Sequence, residues 1–140
     1  MARMRSRRAA ILWGAAIAYA AAIFVLSSQP VSAPAEETVA LLGDKALHGI
    51  EYAGFAILLT LAISSTPSPR VSSRAAMIAF AGTALYAASD EFHQTLVPGR
   101  DGNLADLAAD VLGAFVGAAL VHAWRRRSAR ATSVSETSPR

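Results

Sequence analysis

An all-α integral membrane bundle of four transmembrane helices, with both chain ends in the cytoplasm, is the fold that three features of this sequence predict. Hydrophobic residues make up 54% of the 140 positions against 16% charged, a balance too apolar for an ordinary soluble domain. The apolar residues gather into stretches long enough to cross a bilayer, parted by proline- and serine-rich breaks. Alanine and glycine are frequent within those stretches, as expected of helices that pack closely inside a membrane. The length suits one domain, read as a basic cytoplasmic N-terminus over 1–8, a membrane domain over 9–124 and a basic, disordered cytoplasmic tail over 125–140.

The first helix is expected from about Ala9 to Leu26, behind the basic flank of Arg3, Arg5, Arg7 and Arg8. Val31-Ser32-Ala33 resembles a small-residue cleavage site, but the apolar run is longer than the roughly 7 to 15 residues of a signal-peptide core, so it reads as an uncleaved anchor. Pro30, Pro34, Glu36 and Glu37 place a solvated loop over 27–43, with room for a short interfacial helix. The second helix follows from about Asp44 to Ile63, polar at its start and apolar from Ala53 onward apart from Thr60. Ser64 to Arg70, with Pro67 and Pro69, breaks it. The third helix begins near Ser73 and ends in Ser89-Asp90-Glu91-Phe92-His93-Gln94 before the turn at Pro98-Gly99. The fourth, capped by Asp101 or Asn103, runs to about Trp124.

Charge sets the orientation. With the N-terminus inside, all 13 basic residues except Lys45 and Arg100 are cytoplasmic, as the positive-inside rule requires. Every acidic residue except Glu136 falls on the other side. Because the basic residues lie mainly at the chain ends, without aromatics interleaved along a folded face, a nucleic-acid partner is excluded. The partner the composition demands is the lipid bilayer. There is no cysteine, so any metal would need histidine and carboxylate ligands.

The polar residues near the outer helix ends are the candidate site. Asp44, His48 and Tyr52 recur every four residues on the second helix, with Lys45 and Glu51 beside them, which stacks them along one face. The third helix carries Asp90, Glu91, His93 and Gln94, and the fourth carries Asp106 and Asp110 on the side that leads to Gly113 and Gly117. Ionisable groups inside membrane helices usually face the bundle interior or a water-filled cavity, so a polar cleft open to the outside is expected. The plainer reading, in which Asp44, Lys45, Asp90 and Glu91 merely sit at headgroup level, fits Asp106 and Asp110 less well because they lie deeper. His48 and His93 suit either a ligand or a hydrogen-bonded structural role, whereas His122, beside an arginine cluster, reads as solvated. Gly113 to Gly117 reads as close helix packing, and Trp13, Tyr19 and Trp124 as lipid-facing or interfacial.

These motifs together resemble the VanZ-like family. Asp44-Lys45-Ala46-Leu47-His48, then Tyr52, Asp90-Glu91-Phe92-His93-Gln94, Pro98-Gly99-Arg100, Asp106 and Gly113 form a DKxxH element joined to a DExHQxxxPGR element. The resemblance implies a small multi-pass protein of the bacterial cytoplasmic membrane, in a family named for a member linked to teicoplanin resistance. It carries Asp44, Lys45, His48, Tyr52, Asp90, Glu91, His93, Gln94, Arg100 and Asp106 over as site residues. Asp110 stands where the family usually has Asn, and Asn103 where it often has Ser.

Three functions compete at this point. One is recognition of an envelope-lipid or cell-wall-precursor headgroup, with the planar fork of Arg100 on phosphate or carboxylate. Another is a metal-dependent membrane enzyme acting on a lipid-linked substrate, for which the histidines and carboxylates offer enough donors for a divalent metal; no HExxH or nucleophile motif is present. The last is a structural partner of another membrane protein, the polar groups only tying helix ends together. A transport pathway is disfavoured, since the inner halves of the second and third helices hold no ionisable residue.

Overall fold

The computed structural model describes residues 2–30, 43–100 and 102–136. Five helices appear among them, α1 (Ala2–Ser27), α2 (Asp44–Ser64), the short α3 (Pro69–Ser73), α4 (Ala75–Gln94) and α5 (Leu104–Glu136). The interfacial helix, the cleavage motif at 31–33, the capping role of Asp101 and residues 137–140 lie outside the described residues.

Three helices contain stretches long and apolar enough to cross a membrane, Ser6–Ser27, Lys45–Ser64 and Leu104–Ala131. The fourth long helix, α4, has 20 residues, about the 30 Å of a bilayer core, but Ser89, Asp90, Glu91, His93 and Gln94 make its last turns polar. The sorting of side chains is that of a bilayer protein. Ile11, Ile17, Leu85, Leu112, Phe115 and Leu120 face outward, while Ala56, Ala79, Ala87 and Ala114 are buried together with Thr83, Asp90 and Asp110. A water-soluble bundle hides its large apolar side chains instead.

α2 is the hub, in contact with every other helix. Its closest partner is α5, because a Cβ at Gly113 would collide with the Gly49 carbonyl and one at Gly117 with that of Ala53. The two backbones touch there, as the sequence expectation of close packing holds. Successive pairings of Lys45 with Asp106, His48 with Asp110, Gly49 with Gly113 and Ser64 with Arg125 rise together along both chains, so α2 and α5 run parallel. α4 lies against both in the opposite sense, Tyr86 meeting Tyr52 and Gly82 meeting Leu59. α1 packs antiparallel on α2 through Ile23, Tyr52 and Phe55.

Three expectations change. α5 does not stop near Trp124, and the disordered tail expected from residue 125 is helical through Glu136, because Arg and Ala are good helix formers and no Gly or Pro intervenes before Pro139. The expected break after Ser64 contains the extra turn α3, started by Pro69 at its first position. Tyr19 does not face lipid with its whole ring. Its hydroxyl donates to the Glu51 carbonyl at 3.1 Å and its ring stacks on Phe55.

Candidate functional site

The polar end of the bundle is built by continuing faces that are small-residue elsewhere. On α4 the buried stripe Ala75, Ala79, Thr83 and Ala87 leads into Asp90, Glu91 and Gln94. On α5 the stripe that holds Gly113, Ala114, Gly117 and Ala118 begins with Asp106 and Asp110. The helical repeat therefore delivers carboxylates to the same interface that the alanines and glycines bring close. Asn103 caps α5, its Oδ1 accepting from the Ala105 N–H at 2.9 Å.

One half of this end is closed by its own hydrogen bonds. Buried Asp90 accepts from the Ser27 hydroxyl at 2.6 Å on one oxygen and from Gln94 Nε2 at 3.0 Å on the other. Arg100 follows Gly99, whose positive φ of 81° turns the chain back over the bundle. Its Nε donates to the Gln29 carbonyl at 2.9 Å, Nη2 to the Leu26 carbonyl at 3.2 Å, and Nη1 reaches Gln94 Oε1 at 3.5 Å. The guanidinium thus bonds two carbonyls at the end of α1, adding to the Gln29 N–H that the Leu26 carbonyl also accepts. His93 shares a 3.0 Å hydrogen bond with Ser28 through Nε2 and stacks on Phe24. Together these contacts fasten α1 to α4.

The other half lies between α2, α4 and α5. Lys45, with a side chain 47% exposed, pairs with Asp106. His48 Nδ1 is 3.0 Å from Oδ1 of Asp110, which is 1% exposed. Glu91, 7% exposed, accepts the Asn103 backbone N–H on Oε2 at 2.7 Å, while its Oε1 is buried without a partner. Donor atoms of His48, Glu91 and Asp110 all lie within 4.8 Å of one another. The Tyr52 hydroxyl is buried close to Asp90. Buried polar atoms left unpaired cost about 1–3 kcal/mol each, and ions away from water cost more.

The expected residues therefore separate into two groups. His48, Glu91 and Asp110 converge, with Lys45 and Asp106 at their edge and Tyr52 below. Asp90, Gln94, His93 and Arg100 belong to the α1 fastening. Asp44 opens α2, and its side chain is outside the described residues. Ser27, Ser28, the Asn103 N–H and Glu51, whose charge neighbours are His48, Asp90 and Asp110, complete the setting. The helical spacing from His48 already marks Glu51, whereas two serines at the end of an apolar run carry no signal in sequence.

Beside the capping Asn103 an apolar groove of about 510 Å³ starts at Leu104 and is lined further by Phe80, Leu107, Val111, Leu112 and Phe115. At the far end of the bundle, Arg125 bonds Ser64 and Ser72. The sequence matches the family model described as VanZ/LLP1 over residues 12–125. No curated protein and no solved structure matches the chain.

Proposed function

The chain belongs to the VanZ/LLP1 family, and we propose that it crosses the bacterial cytoplasmic membrane four times and presents an extracytoplasmic site for the headgroup of an envelope lipid or lipid-linked cell-wall precursor. The four-span topology is supported by the parallel run of α2 and α5. If both cross the bilayer in one direction, the chain between them crosses back, and α4 is the helix among the described residues that runs that way. Among the described residues, Lys45 and Arg100 are the basic residues at the polar end, which supports an outward orientation of that end.

The observation that carries the headgroup reading is that an apolar groove starts at Leu104, one residue after Asn103, whose backbone N–H is held by the buried Glu91 of the polar cluster. An amphiphile needs both, a pocket of polar partners for its head and an apolar channel for its tail. From Leu104 to Phe115 the groove follows α5 for about 16 Å at 1.5 Å per residue, a length suited to an acyl or prenyl segment. The anion contact falls to Lys45, half exposed beside Asp106, because the Arg100 fork is spent on carbonyls and Gln94. With the family's link to teicoplanin resistance, a cell-wall precursor as ligand makes teicoplanin susceptibility change on deletion.

Native mass spectrometry of the gently purified protein tests this. Wild type is expected to retain a phosphate-bearing lipid that Lys45→Gln loses, with both proteins equally helical. Equal retention by the two proteins, or none by wild type in nanodiscs loaded with bacterial lipid extract, overturns the reading.

A further inference from the structure

We propose that His48, Glu91 and Asp110 bind one divalent first-row transition-metal cation inside the polar end of the bundle. The three residues come from α2, α4 and α5, and their donor atoms lie within 4.8 Å of one another. Two ligands each about 2.1 Å from a shared ion stand about 3.0 Å apart at the right angle of octahedral coordination and about 3.4 Å apart at the tetrahedral angle. The His48 Nδ1 to Asp110 Oδ1 separation is 3.0 Å, so one edge of a coordination polyhedron already has its length.

A second, independent observation singles out this trio from the other carboxylates. Asp90 has Ser27 and Gln94 on its two oxygens, and Asp106 has Lys45. Glu91 instead keeps Oε1 buried with no partner while Asn103 holds Oε2. A backbone N–H on one oxygen orients a carboxylate for coordination through the other, the usual outer-shell support of a metal ligand. Charge points the same way. Glu91 and Asp110 are 7% and 1% exposed, and a dication beside a neutral imidazole cancels both negative charges where water does not solvate them.

The donor set selects the class of ion. Imidazole with two carboxylates suits manganese, iron or zinc, whereas calcium takes 6–8 oxygen ligands and magnesium keeps most of its water. Three protein ligands also leave a coordination position open to an outside oxygen. That this oxygen is the phosphate of the proposed headgroup rests on the headgroup reading; the metal site itself does not.

The test uses full-length protein in detergent, stripped with EDTA and titrated with Mn²⁺, Zn²⁺ and Co²⁺. One ion per chain is expected by elemental analysis, and the affinity should fall by more than the roughly hundredfold upper range for losing an outer-shell partner in Glu91→Gln, Asp110→Asn and His48→Gln. Should a variant fail to fold, wild type alone decides. Its cobalt spectrum should carry the signature of a single imidazole nitrogen and survive His93→Gln, whose ring is held by Ser28. No binding by wild type, binding unmoved by all three substitutions, or a cobalt site without nitrogen overturns the proposal. Lipid retention is measured in parallel with EDTA present. A metal without retained lipid then sinks only the headgroup reading, and lipid without metal sinks only the metal site.

Discussion

Replacing Gly113 with Ala should loosen the polar end from below. A Cβ at this position meets the carbonyl oxygen of Gly49 head on, and that oxygen belongs to helix backbone rather than a side chain able to swing aside. Since unstrained carbon–oxygen contacts begin near about 3.3 Å, α5 has to retreat from α2 by on the order of 1 Å. Overpacking of this kind costs about 1–3 kcal/mol, and the intrinsic helix preference of Ala over Gly returns about 1 kcal/mol. The expected net loss is about 0–2 kcal/mol. The retreat is centred three residues from Asp110, so the 3.0 Å approach of His48 to Asp110 should open beyond hydrogen-bonding reach. Reversible unfolding in mixed micelles followed by circular dichroism measures the first effect. Gly82→Ala is the control, because its Cβ would meet only Leu59 Cδ2, at an ordinary 3.5 Å, and it should be at least as stable as wild type. If Gly113→Ala matches or exceeds Gly82→Ala in stability, the account of α2 and α5 touching through this glycine is wrong.

Four further outcomes are expected. Ser27→Ala removes the 2.6 Å donor from buried Asp90 and should cost about 1–3 kcal/mol in the same unfolding assay; a loss below about 0.5 kcal/mol would mean that Asp90 does not depend on α1. Arg100→Lys cannot reach three acceptors with one ammonium, so hydrogen exchange around residues 24–29 should speed up, and unchanged exchange would disprove the clamp. Asn103→Ala deletes the cap on the Ala105 N–H and should cost about 1 kcal/mol, with extra fraying confined to the start of α5. The chain has no cysteine, so Leu96→Cys and Ser128→Cys give background-free topology probes. An impermeant maleimide added to intact cells should label the first and spare the second, and the reverse pattern would invert the proposed orientation.

Helix existence and the polar stripes were legible because both are local. A 3.6-residue repeat places Asp106 and Asp110 on the face of Gly113, and His48 over Tyr52, whatever the rest of the chain does. The GxxxG spacing likewise announced a close approach, though not that the neighbour would be α2 running parallel. What remained hidden depends on contacts between residues far apart in sequence. Arg100 looked like a free anion-binding fork because its acceptors, the carbonyls of Leu26 and Gln29, are more than 70 positions away. Ser27 and Ser28 resembled any helix-ending serines until α4 set Asp90 and His93 against them. Tyr19 has the composition of an interfacial anchor, and only the packing of α1 on α2 gives its hydroxyl the Glu51 carbonyl. The tail was misjudged for another reason. Its charge and serine content resemble disorder, but a helix already nucleated upstream extends through Arg and Ala at little cost.

The two halves of the polar end act as controls for each other. A cluster whose only task was to tie helices together would be expected to close every hydrogen bond, since a membrane interior offers little water to satisfy what is left over. The half formed by Ser27, Asp90, Gln94 and Arg100 does this, down to an acceptor for each guanidinium nitrogen. The half formed by α2, α4 and α5 does not. Among the described residues, Glu91 Oε1 is buried at this end without a partner. The same helices thus supply a fully satisfied cluster on one side and an open one on the other. A general shortage of donors does not explain the contrast, because Lys45 is present at the edge and is directed to Asp106. Unpaired oxygen beside a histidine and a second buried carboxylate is the arrangement expected of a site completed by something the chain does not itself provide.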